Sequence, residues 1–164
     1  MAEPHVDPAD LDALREQLGR VPRGVVDIAA RHVDGSPTVV RTAPRLEDGT
    51  PFPTTFYLTH PRLTKLVSTL EAEHHMADLG TRLATDEEFR AAYAAAHADY
   101  LARRAELGDV AEIADVSAGG MPTRVKCLHA LLGHSLAAGR GVNPVGDWVL
   151  DQLAQRWGEH PPAG

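Results

Sequence analysis

Cysteine, histidine, arginine and lysine crowd into one stretch of this chain. Between Gly119 and Asp147 stand the only cysteine, Cys127, the histidines His129 and His134, and the cations Arg124, Lys126 and Arg140. Three chemistries suit such a set. The pair Gly119 and Gly120 frees the backbone for positive φ and close approach, and Pro122 with Thr123 is expected to open a helix behind it. A helix start carries unpaired amides and partial positive charge, so it can hold a phosphate or carboxylate assisted by Arg124 and Lys126. Cys127 can act as a nucleophile with a histidine as base. Cysteine and histidine can also share a metal. Against each stands a plain reading: a tight turn without the G-x-x-x-x-G-K-[ST] pattern, a small buried thiol, and a core histidine.

Projecting a helix that starts at Pro122 sorts these residues at about 100° per position. Cys127 and His134 then share a face with Arg124, Leu131 and Ala138, while His129 falls on the opposite side with Val125, Leu132 and Leu136. Seven residues separate Cys127 from His134 by about 10.5 Å of rise, which is long for two ligands of one ion. A shared groove over Leu131 fits better, with Cys127 and His134 as the catalytic candidates. Gly139 is expected to cap this helix and Arg140 to sit on its last carbonyls. Asp147 is expected to cap a final helix over 148–157, after the turn at Asn143-Pro144. The ligand-binding candidates are therefore Gly119, Gly120, Arg124, Lys126, Arg140, Asn143 and Asp147, with the 139–147 loop returning over the groove.

The rest of the chain must position that segment. Asp7, Pro8 and Gly19 bracket a short docking helix whose stripe is Leu11, Leu14 and Leu18. Two β-rich runs, 25–33 and 38–42, flank Asp34-Gly35 and predict a hairpin. Prolines 44, 51 and 53 impose an irregular loop, and 55–59 reads as a third strand ending at His60-Pro61. Leu63, Leu66, Val67 and Leu70 follow at helical spacing, and Glu71, Glu73, His74 and His75 read as the solvated end of that helix. Thr85 to Glu88 matches a capping box opening the longest helix, to about Leu107, with Phe89, Tyr93, Ala96, Tyr100 and Leu101 as its packing face. The run 110–116 leans towards a strand. The fold class is α+β, a single domain with a small antiparallel sheet of about three strands covered by four or five helices. Its parts are a docking helix within 1–20, the main body over 21–158 and a flexible tail at 159–164.

At 164 residues and 43% hydrophobic content the chain can bury one core. A net charge of −7 argues against a general nucleic-acid surface. No cationic start with an apolar run follows Met1, and nowhere do about 18 apolar residues run together, so a cytoplasmic protein without a membrane span is expected. One cysteine forms no internal disulfide, in keeping with a reducing compartment.

Pro51-Phe52-Pro53-Thr54, Phe56-Tyr57-Leu58-Thr59-His60-Pro61, Arg124-Val125-Lys126-Cys127-Leu128-His129 and Asn143-Pro144-Val145-Gly146-Asp147 together resemble the DUF501 family over roughly residues 20–158. The resemblance implies a bacterial family of unknown function, whose genes often lie near those for a septum-formation initiator and an exopolyphosphatase. Many relatives carry cysteine where this chain has His60. That exchange preserves a metal ligand and abolishes a thiol pair, so the resemblance implies a metal set of His60, Cys127 and His129 or His134, with zinc the default ion. Three functions stay in view: binding of a small anionic, phosphate-bearing molecule; a small metal- or Cys-dependent hydrolase or transferase; and an interaction module of cell division. The sequence settles neither the reaction nor the oligomeric state.

Overall fold

The computed structural model describes residues 5–159 and Pro161. Most of the expected tail at 159–164 and the first residues of the 1–20 segment lie outside the described residues.

The hairpin forms where the Asp-Gly turn demands it. Strand β1 (Val25–Arg31) pairs antiparallel with β2 (Pro37–Thr42), and β2 pairs antiparallel with β3 (Phe56–Leu58), giving the order β1-β2-β3. The register sets Val40 opposite both Ile28 and Tyr57. Helix α1 (Pro8–Leu18) ends on Gly19 at φ 75°, the left-handed cap its glycine permits, and packs against β2 through buried Leu14. These elements match the α+β class read from the sequence.

Helix α2 (Pro61–Ala72) starts on His60, whose Nδ1 accepts from the Arg62 amide at 3.3 Å. Its Leu63, Val67 and Leu70 are buried, as the helical spacing requires. The solvated end expected at 71–75 is instead a corner. His74 takes φ 66°, and a further helix, α3 (His75–Thr85), turns back to bury Leu79 and Leu83. Helix α4 (Glu87–Ala105) is capped by Asp86, which accepts from the Phe89 amide at 3.0 Å, one residue beyond the expected Thr85. Phe89, Tyr93, Ala96 and Tyr100 form its buried face. Arg104 joins them at 4% exposure by donating to the carbonyls of Pro53, Ile113 and Val116. Those carbonyls hold 110–116 as a loop around a single 3₁₀ turn, Ala111–Ile113, so the expected strand is absent.

Helix α5 (Leu128–Ala138) is the centre of the domain. Seven of its eleven residues are buried, because the sheet covers one side and α6 (Pro144–Trp157) the other. Two glycines make both contacts close. A Cβ on Gly133 would stand 2.7 Å from the Phe56 carbonyl oxygen, and one on Gly146 would collide with Ser135 and the Leu131 carbonyl. Six α-helices thus cover the sheet among the described residues, against four or five expected; α3 is the addition.

Candidate functional site

The first correction concerns where α5 begins. Residues 119–127 form no helical turn continuous with α5; the helix starts at Leu128, with Cys127 as its extended N-cap at φ −147° and ψ 107°. The chain before it is a knot of short bonds: the Arg124 amide donates to Gly120, the Lys126 amide to Gly119, and Tyr93 Oη to the Arg124 carbonyl at 2.8 Å. Gly119 and Gly120 adopt φ 65° and 93°, and a side chain on either would strike Leu131 or the Arg124 carbonyl. The glycine pair therefore serves packing. No helix follows it directly in the chain, so the anion argument built on a helix opening at Pro122 loses that support. Arg124 and Lys126 are exposed and make no ion pair among the described residues.

Moving the helix start reverses the grouping of the reactive residues. Cys127 lies outside the helix, so its side chain folds towards His129 instead of sharing a face with His134. Glu71, at the end of α2, completes the group: the Cys127 sulfur, a His129 ring nitrogen and a Glu71 oxygen all lie within 4.8 Å of one another. Glu71 Oε1 accepts from His129 Nδ1 at 2.6 Å and from the Leu128 amide at 3.2 Å. That carboxylate therefore ties the end of α2 to the start of α5.

The partners of His129 decide its charge. Nδ1 faces a carboxylate, and Nε2 stands 3.2 Å from both the Thr64 carbonyl and Ser68 Oγ. A carbonyl and a carboxylate only accept, so both ring nitrogens carry protons and the ring is an imidazolium. Its pKa is accordingly pushed up to about 9, first by the Cys127 sulfur, against the opposing effect of burial, and with help from Glu71. For Cys127, burial alone would push the thiol up; His129 and the Ala130 amide outweigh it and bring its pKa below the ordinary value. A cysteine of lowered pKa beside an imidazolium at a helix start is the arrangement in which a thiol is activated as a nucleophile.

Glutamate, cysteine and histidine are also donors that zinc accepts. The spacing fits a proton better. Nitrogen and oxygen ligands at about 2.0–2.1 Å from a tetrahedral ion stand roughly 3.3 Å apart, whereas Nδ1 and Oε1 are at hydrogen-bond distance, 2.6 Å. His60 does not join the set. It caps the far end of α2, eleven residues and about 16 Å of rise from Glu71, and packs with His32 and Trp157 at centroid distances of 5.8 Å.

His134, the other catalytic candidate, sits in the core. It is fully buried, stacked on Phe56 and edge-on to Tyr100. Asn143 Oδ1 accepts from the Val145 and Gly146 amides, which turns its Nδ2 towards His134 Nδ1 at 3.1 Å. Nε2–H therefore donates to Asp99 Oδ2 at 2.7 Å, and the ring is neutral. Burial first, against the pull of Asp99, holds its pKa below the ordinary histidine value. Asn143, not Asp147, caps α6. Asp147 accepts from Ser135 Oγ and the Gly141 amide, closing the 139–147 loop on α5. Gly139 ends α5 at φ 91° and ψ 165°, outside the left-handed cap expected, and Arg140 pairs with Asp151 instead of the helix carbonyls.

A groove of about 330 Å³ opens beside Cys127 and His129, lined further by Leu18, Leu58, Thr64 and Ala130. Glu71 is the residue sequence reasoning missed. Its partner His129 is 58 positions away, and no local spacing carries such a pairing.

A family model described as a protein of unknown function, DUF501, matches residues 28–151, and the chain belongs to that family. No curated protein and no solved structure matches it. No helix among the described residues is long and apolar enough to cross a membrane.

Proposed function

We propose that this DUF501 protein is a small cysteine-dependent hydrolase or transferase acting on an activated carboxyl group. Cys127 is the nucleophile, His129 its proton partner, and Glu71 the positioning residue that holds His129 charged. The observation that carries this reading is the pair of acceptors, Glu71 Oε1 and the Thr64 carbonyl, on the two ring nitrogens of a histidine beside the only cysteine. The thiolate attacks the carbonyl carbon, forming a C–S bond. The bond to the leaving group breaks, and the leaving group takes a proton from His129. Water or an acceptor then releases the acyl group and restores the thiol.

The test is the rate of alkylation by iodoacetamide against pH. The wild-type inflection is expected below the ordinary cysteine value of about 8.5, and His129→Gln should raise it. A wild-type inflection at or above that value would end the thiolate reading.

A further inference from the structure

The groove beside Cys127 does not stand alone. Tyr57 lines it and also lines a second recess, of about 250 Å³, whose wall includes Arg20, Arg23, Leu46 and Phe52. Leu18 and Arg20, two positions apart at the end of α1, divide between the two spaces in the same way. The two hollows are therefore neighbours that share Tyr57, and their chemistries differ. Leucine and alanine join the Cys127 end. At the other end Arg20 and Arg23 stand in the wall, and Arg23 pairs with Asp48 at 2.6 Å. Arg20 is exposed and makes no ion pair among the described residues. In a chain of net charge −7, that wall presents one guanidinium beyond the Arg23–Asp48 pair.

Resting on the cysteine-dependent reading above, we infer that the substrate is an acyl thioester or ester with two unlike ends. Its acyl chain is short and apolar and lies in the 330 Å³ groove. Its leaving group carries phosphate or carboxylate and crosses Tyr57 to reach Arg20. The carbonyl carbon sits at the junction with Cys127. Attack forms the acyl–sulfur bond, breaks the bond to the anionic thiol or alcohol, and sends that group away with a proton from His129. Arg20 touches only the leaving half, so it governs selectivity between leaving groups and not the reactivity of the thiolate.

Two thioesters of the same acyl chain separate these roles: octanoyl-coenzyme A, whose thiol half bears phosphates, and octanoyl-N-acetylcysteamine, whose thiol half is uncharged. Acylation of the full chain is followed by intact-protein mass, with Cys127→Ser as the blank. The coenzyme A thioester is expected to acylate at least about tenfold faster, the scale of a charge-assisted contact, and the preference should shrink at high salt. Arg20→Glu, an exposed change, should abolish that preference. Equal rates in the wild type, or a preference that survives Arg20→Glu, overturn the assignment of the leaving group. A thiolate of lowered pKa that neither thioester acylates overturns the acyl substrate and leaves the cysteine-dependent reading standing. An ordinary alkylation profile sinks that reading instead.

Discussion

Exchanging Glu71 for glutamine removes one charge while keeping an acceptor for both His129 Nδ1 and the Leu128 amide. An ordinary histidine titrates near 6.5, and His129 is held at about 9; at 1.36 kcal/mol per pH unit the gap corresponds to roughly 3 kcal/mol. The Cys127 sulfur is its largest single cause, and Glu71 adds a charge-assisted hydrogen bond of about 1 kcal/mol. That figure suits a charged hydrogen bond partly screened by water, since the two side chains are 29% and 24% exposed. The sign follows from proton linkage. The folded pKa of His129 is raised, so its contribution is fully present below about pH 6.5 and is lost as pH rises through about 9. Urea unfolding of wild type and Glu71→Gln is expected to differ by about 1 kcal/mol near pH 6 and to converge by about pH 10.5. In an NMR titration the His129 ring should fall by about one pH unit in the variant. A stability difference that stays constant across that range refutes the ion pair, and so does a wild-type His129 that titrates near 6.5.

The packing of α5 against α6 is tested by Gly146→Ala, whose methyl would collide with Ser135 and the Leu131 carbonyl. A loss of about 2–3 kcal/mol and a fall in Tm of roughly 4–12 °C are expected, whereas Gly80→Ala, with nothing within 4 Å in α3, should stabilise by about 0.5–1 kcal/mol; calorimetry reads both. His134 makes a pH prediction of the opposite sense to His129. It is faced by Asp99 and Asn143, with Arg103 and Asp147 acting from further off, and its folded pKa is lowered, so the unfolded chain binds the extra proton. Stability should fall as pH drops below about 6.5. His134→Gln, measured by urea unfolding between about pH 4.5 and 7.5, should show a shallower slope; an unchanged slope removes His134 as its source.

The hairpin, β3, α1, α2 and the buried stripe of α4 were legible because each is written locally, in a turn dipeptide, a proline at a helix start or a spacing of three and four. The site was legible in its membership but not in its arrangement. Pro122 suggested a helix start, yet it sits in a cis Met121–Pro122 turn and the helix begins at Leu128. Six residues of error moved Cys127 from inside a helix to its cap and exchanged His129 with His134 as its neighbour. Glu71 resembled a solvated helix end because the element that covers it, the start of α5, lies far along the chain. His74 and His75 resembled a frayed terminus, where the left-handed turn at His74 in fact starts α3. Asn143 carried only a turn signal and Asp147 the expected cap; the bonds of Asn143 to Val145, Gly146 and His134 show its side chain capping α6 and holding the buried ring.

The link between Glu71 and the first two residues of α5 also makes the thiol a clock for folding. Until α2 and α5 meet, Cys127 is an ordinary cysteine on an ordinary chain. During synthesis the carboxylate emerges well before the sulfur, and neither alters the other until the hairpin and the helices have closed around them. Since the chain has one cysteine, a thiol reagent applied at pH 7 reads a single event with no competing signal. On the proposed reading of Cys127, the proportion of molecules that label fast is expected to follow the proportion in which the native topology is complete.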